Sequence, residues 1–337
     1  MSVVAPALRG DDALGFLAAV GIVALSEQER IPPVRLSWQG RSAPVAAFEA
    51  VASLDQLGTE LSGAFESLRA QDEVIPGAGP DFPLPPPQGK TAGGDQRWDR
   101  MRMPRDEMAQ LFTDASRRWV EDGDRWFARW LLATAGQAAA KDKGDIELTP
   151  FYAPTGRMSL RGSLFDATVK AVEAAGGPAD ALTRWRRVAF DGANFDDRAK
   201  RDAAVTTTGE ASNRAAPSAT WLAVMAIRMF PMTDDGRTTR TVGWQRVRLY
   251  RGFTYRSLVW PIWSMPLDSA GVRTLLAHPL LQLEGPPDAP HVARFAEDQL
   301  RALGITAVFG SSRRTLQQGD GPLGPAVRLW PAATPAE

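Results

Sequence analysis

The chain has 337 residues, 44% of them hydrophobic, with 39 basic and 39 acidic side chains, two histidines and no cysteine. This is enough apolar material for a sizeable core, in two domains or in one with large insertions. The missing cysteine excludes disulfides, thiolate metal sites and cysteine nucleophiles. His278 and His291, each next to a proline, are too few for a multi-histidine metal centre, so no catalytic residue, metal or cofactor is expected.

In chain order, residues 1–10 lack the basic and apolar regions of a signal peptide. No apolar run reaches the roughly 18 residues of a membrane span, so a cytoplasmic protein is expected. Residues 11–28 read as a buried helix capped by Asp11 or Asp12, with Leu14, Leu17, Val20, Gly21, Ala24 and Leu25 on one face. Its small residues, Gly15, Ala18 and Gly21, permit another element to come close. Residues 34–38 alternate like a strand, and residues 54–70 form an amphipathic helix. In the stretch 76–96, 11 of 21 positions are proline or glycine, which predicts a flexible linker. Gly89-Lys90-Thr91 within it looks like a phosphate loop, but Leu84 stands where that pattern requires glycine.

Helices follow at 104–119 and 124–138, the second with a wide apolar face of Trp126, Phe127, Trp130 and Leu131 that reads as core. Ser163 opens another helix, with Asp166 as capping partner and Gly176-Gly177 as its end. Ser218 caps a helix over 219–230, stopped by Pro231. Residues 238–250 and 253–263 read as strands about Arg251-Gly252. A short helix at 269–277, a strand at 305–310 and a loop carrying Arg313 and Arg314 complete the chain. The predicted fold is α+β, helix-rich, with a small antiparallel sheet or hairpin in the C-terminal half. Four segments are predicted: an acidic 1–75, the linker 76–96, a helical 97–180 and a basic 181–337.

The neutral total hides an uneven distribution. Residues 10–81 hold 11 acidic side chains against 4 arginines, whereas residues 184–256 hold 14 basic side chains against 7 acidic ones. Nearly all the basic residues are arginine, 34 against five lysines. Arginine's planar fork suits phosphates and bases, and abundant Ala, Gly and Pro make a GC-rich genome an equally simple source of it. Arg246 and Arg248, two apart on a strand, share a face beside Trp244, with Arg240, Arg251, Tyr255 and Arg256 nearby. Arginines interleaved with aromatics suit a surface that follows a nucleic-acid backbone. The competing reading is a solvated sheet face whose arginines pair with the acidic N-terminal part. A second basic stretch comprises Arg184, Arg186, Arg187, Arg198, Lys200, Arg201 and Arg214, and Arg313 with Arg314 forms a third candidate. Asp196 and Asp197 read as a helix cap or as an ion pair with nearby Arg198.

Several segments resemble one family. These are Gly10-Asp11-Asp12-Ala13-Leu14-Gly15-Phe16-Leu17, Thr149-Pro150-Phe151-Tyr152-Ala153-Pro154-Thr155-Gly156-Arg157, Phe195-Asp196-Asp197-Arg198, residues 222–231, and Val259-Trp260-Pro261-Ile262-Trp263-Ser264-Met265-Pro266-Leu267 followed by Val272-Arg273-Thr274-Leu275-Leu276. Their order and spacing are similar to those of the Csb/Csx-type, large-subunit-like effector subunits of type I-G (formerly I-U) CRISPR–Cas systems. The chain departs from the pattern at Arg157-Met158 and Lys200-Arg201, and it is shorter than the larger members. The resemblance implies a non-catalytic, nucleic-acid-binding subunit of an antiviral surveillance complex. Its partners would be other effector subunits, guide RNA and target double-stranded DNA. Two alternatives stand beside it. One is a guide-RNA-processing ribonuclease using His278 or His291. The other is a protein–protein scaffold in which Trp119, Trp126, Trp130 and Trp263 serve core and interface.

Overall fold

The computed structural model describes residues 2–73, 75–79, 82, 104–140, 146–152, 160–201, 204–205, 211–234, 238–247, 249, 255–282, 296–316 and 319–331. Side chains are not described at 137–140, 200–201, 204–205, 211–212, 255, 314–316 and 319–320. Near the N-terminus, β1 (Val3–Arg9), β2 (Arg35–Gln39) and β3 (Val45–Glu49) form an antiparallel sheet in the order β1-β3-β2. Helix α1 (Ala13–Glu27) leaves β1 through Asp12, whose carboxylate accepts the backbone N–H of Leu14 at 2.9 Å and of Gly15 at 3.2 Å.

Every residue of α1 from Ala13 to Leu25 is buried, as its apolar composition on all sides requires. The helix crosses α7 (Pro217–Ala226), which is buried along its whole length. A Cβ on Gly21 would stand 1.8 Å from the Leu222 carbonyl oxygen, so the crossing needs a residue without a side chain there. The expected close approach at Gly21 is thus an observed helix–helix contact. Ser218 does not cap α7. Pro217 holds the first helical position, and the Ser218 hydroxyl donates instead to the Gly177 carbonyl at 2.8 Å.

Around this pair lie α2 (Leu54–Ala70), α3 (Arg105–Asp122), α4 (Arg125–Thr134) and α5 (Ala167–Ala175), the last entered through a π-helical turn at Leu160–Asp166. The sequence places the end of α4 four residues too late. The chain passes at once into β4 (Ala135–Ala140), paired with β5 (Ile146–Leu148), because Gly136 is packed against Thr239. Short ribbons follow: β6 (Val188–Ala189) with β9 (Arg214–Ala215), β7 (Ala204–Val205) with β8 (Ala211–Ser212), and β10 (Met232–Asp234) with β11 (Thr239–Thr241). Helix α6 (Asp197–Arg201) lies against β9.

The largest sheet is C-terminal and antiparallel. It is built from β12 (Trp244–Val247), β13 (Tyr255–Trp263), β14 (Ile305–Leu316) and β15 (Gly319–Leu323), with β16 (Val327–Trp330) also paired to β14. Helices α8 (Ser269–Leu276) and α9 (Glu297–Ala302) flank it. The fold is α+β, with helices and small antiparallel sheets. The sheet of the C-terminal half is present as expected, while β1 and β3 extend the β-structure into the N-terminal part.

The tryptophan–proline segment joins the two main sheets. Trp260 donates its indole N–H to the Gly10 carbonyl and Trp263 to that of Leu36, both at 2.8 Å. Phe16 of α1 lies between them, with ring centroids 5.5 Å from Trp260, 6.3 Å from Trp263 and 5.7 Å from Trp38. Pro261 sits past the end of the β12 pairing, where the missing N–H is tolerated. One apolar cluster runs from Ala5 to Trp330.

The stretch read as a linker begins inside that cluster. Pro76 and Ala78 are buried, Phe82 is only 1% exposed, and the Pro76 carbonyl accepts from Gln28 Nε2 and the Trp130 indole. Composition misjudged these positions because a proline–glycine turn can supply buried backbone acceptors as readily as a mobile segment. The rest of the stretch, with Gly89-Lys90-Thr91, lies outside the described residues. Among the described residues, no helix is long and apolar enough to cross a membrane.

Candidate nucleic-acid interface

The basic residues named from sequence separate into three environments. The first is exposed sheet surface. Arg240 on β11 and Arg246 on β12 are exposed, and neither has a carboxylate partner among the described residues. Arg246 stands directly across the ladder from Arg256 of β13. Directly opposed side chains in an antiparallel pair lie roughly 5 Å apart at Cβ, where like charges repel. Arg256 is neutralised by Glu147, at 2.7 Å, and Arg246 is not. Tyr255 is opposite Val247 on the same ladder. Arg248 and Arg251 lie outside the described residues.

The second environment surrounds the β6–β9 ribbon. Arg184 is exposed, and Arg186 donates to the Ala175 carbonyl at the end of α5. Arg187 and Arg214 each donate to the other's backbone carbonyl. Asp196 organises this ribbon. It is 2% exposed, takes Arg187 through both oxygens at 2.7 and 3.2 Å, and also accepts the backbone N–H of Arg198 and Ala216. The carboxylate is therefore both cap and ion pair, as expected of the pair Asp196-Asp197. Its arginine is Arg187 and not the expected Arg198, whose backbone N–H rather than its guanidinium bonds to the carboxylate. The backbone of Lys200 and Arg201 belongs to α6.

Arg198 belongs to neither group. It lines a recess of about 170 Å³ with Asp11, Asp12 and Asp197, closed by Phe195 and residues 324–326. The N-terminal and Phe195–Arg198 segments of the resemblance thus meet in space, although 180 residues separate them. Burial raises the Asp12 carboxyl above its ordinary value, against the bonds from Gly15 and Leu14 and the attraction of Arg198. The acidic surroundings make Arg198 a poor seat for phosphate.

The third environment is the interior, where two expectations are corrected. Trp244 is 7% exposed and packs edge-on to Phe151, with centroids 5.2 Å apart, so its ring is core and no stacking platform. Arg313 is 5% exposed. It donates to the carbonyls of Pro150, Phe151, Asn194 and Gly321 at 2.7–3.2 Å and lies over the Trp244 ring. A run of arginine at a strand end reads as surface, but an extended side chain with about five donors can also gather orphaned carbonyls inside. The Arg314 backbone continues β14.

His278 caps the short 3₁₀ turn at Pro279–Leu281, accepting the Leu280 N–H at its Nδ1 (3.2 Å), and His291 lies outside the described residues. Among the described residues, no group of three or more His, Asp or Glu is placed to hold a metal ion. Comparison with protein-family models and with curated proteins found no match.

Proposed function

We propose that this protein is a non-catalytic nucleic-acid-binding subunit of a type I-G CRISPR interference complex. It would hold guide RNA or target DNA by the phosphate backbone and work with other effector subunits. The observation that carries the reading is the opposed pair Arg246 and Arg256, with Arg240 exposed on the neighbouring β10–β11 ribbon and, among the described residues, one carboxylate for the three. Unbalanced guanidinium groups on a sheet face favour a polyanion that releases counterions on binding. The ordered set of sequence segments supplies the family, and the exposed arginines of 184–214 supply a second patch. Arg198, Arg313 and Trp244 are not part of the proposed surface.

The test is the salt dependence of binding to single-stranded RNA and to duplex DNA. Each lost phosphate contact lowers the slope of log affinity against log salt by about 0.7–0.9. Arg240→Gln with Arg246→Gln is therefore expected to flatten it by roughly 1.5, equally for unrelated sequences. Absence of binding at low salt, alone and with partner subunits, would sink the proposal, as would an unchanged slope.

A further inference from the structure

A separate concentration of positive charge lies where α1, α4, α7 and α8 meet. Glu27, in the last turn of α1, accepts three guanidiniums: Arg129 at 2.6 Å, Arg228 at 2.6 Å, and Arg273 at 2.6 and 2.7 Å to its two oxygens. The Arg228 side chain is 1% exposed. It also donates to the Ala24 carbonyl, while its buried Nε has no partner. Trp126 stands beside them, with the guanidinium carbons of Arg125, Arg228 and Arg129 at 4.5, 4.7 and 5.1 Å from its ring centre. Its indole is seated against Gly77, whose missing side chain makes room for it.

One carboxylate faces three guanidiniums here, and Arg125, exposed and with no carboxylate partner among the described residues, adds a fourth. Two further ion pairs border this region, Arg30 with Glu73, which also holds the Gly77 N–H, and Arg118 with Asp124 at the head of α4; each is internally neutral. Bringing like charges together out of water is costly unless counter-charge accompanies them. Glu27 is occupied by its three partners, whereas Arg129 and Arg273, both about 30% exposed, have more donors than their bonds to Glu27 use. Arginine forks with free donors bind oxyanions strongly through paired hydrogen bonds.

We infer that Arg125, Arg129 and Arg273, set on the buried Arg228–Glu27 pair and Trp126, form an oxyanion site for a phosphate group. A nucleic-acid strand and a free phosphate present the same chemistry to it. Burial pushes Arg228 down to about 10, countered by Glu27 and assisted by repulsion from Arg273 and Arg129, so an added anion would relieve the cluster. The site uses neither Arg240 nor Arg246, and its failure leaves the surface proposed above untouched.

The experiment titrates the intact protein with inorganic phosphate by calorimetry and thermal shift, at constant ionic strength against chloride. Saturable binding of phosphate over chloride is expected. Arg129→Gln with Arg273→Gln should weaken it at least about tenfold, since each removes a charged hydrogen bond. Arg125→Gln, at an exposed position outside the Glu27 network, should weaken it about threefold. A 15-nucleotide oligothymidylate forms the second arm. Weakened strand binding in the same variants identifies a nucleic-acid phosphate as the source, and unchanged strand binding with lost phosphate binding identifies the free ion. A phosphate response equal to that of chloride, or one retained in both variants, overturns the site.

Discussion

Glu27 links three segments of the chain through one carboxyl group, so its titration has a visible consequence for stability. Burial pushes the group up, but the charge of Arg228 and the bonds from Arg273 and Arg129 outweigh it, leaving Glu27 at about 2 against an ordinary 4.5. A depressed carboxyl stabilises the fold above its unfolded value and loses that contribution as pH falls through the folded one. The loss therefore falls between about pH 4.5 and 2 and amounts to about 3 kcal/mol. Glu27→Gln at pH 7 should destabilise by roughly 3–5 kcal/mol, because three guanidiniums lose their counter-charge. It should also remove most of the acid-induced loss in that window. Urea unfolding of both proteins at pH 7 and pH 3 measures this, and equal sensitivity to acid in the two would refute it.

At the scale of elements, the α1–α7 crossing has the narrowest tolerance. Gly21→Ala puts a methyl group into the Leu222 backbone, which has no rotamer to escape into. A cost of about 3 kcal/mol or more is expected, at the upper end for overpacking. Gly63 on α2 is the internal control: a Cβ there meets nothing within 4 Å. Gly63→Ala should stabilise by roughly 0.5–1 kcal/mol, as alanine does in an open helical position. Thermal unfolding of the two variants should show opposite signs. A neutral Gly21→Ala would mean that the helices separate without cost.

For the whole molecule, the continuous cluster from Ala5 to Trp330 predicts cooperative behaviour. Arg313 ties the Pro150-Phe151 and Asn194 segments, both more than 100 residues away, to Gly321 of β15 on its own hairpin. Arg313→Lys keeps the charge but loses the planar fork, and is expected to cost roughly 2–4 kcal/mol in buried, unmet carbonyls. Far- and near-ultraviolet circular dichroism should report one coincident transition in wild type, moved as a unit in the variant. Two separated transitions would mean that the acidic N-terminal part and the basic C-terminal part unfold independently.

The elements that were legible in sequence are those whose signals are local. An apolar helix with Asp12 at its head, a stretch rich in β-branched and aromatic residues over 253–263, and glycines after α5 each declare themselves within a few residues. The same local logic failed at Ser218 and at Pro76, where the decisive partner, Gly177 or Trp130, lies tens of residues away.

The candidate interface divides in the same manner. Counting charge along the chain finds the strand carrying Arg246, but it cannot distinguish that exposed arginine from the buried Arg313. It also misses the cluster on Glu27, whose arginines come from positions 129, 228 and 273, in windows that look unremarkable. Composition by itself determined that no thiolate chemistry is available and that two histidines are all the chain holds. Which guanidiniums face solvent, which gather carbonyls and which crowd one carboxylate was decided only by tertiary structure, because burial and counter-charge are properties of neighbours in space.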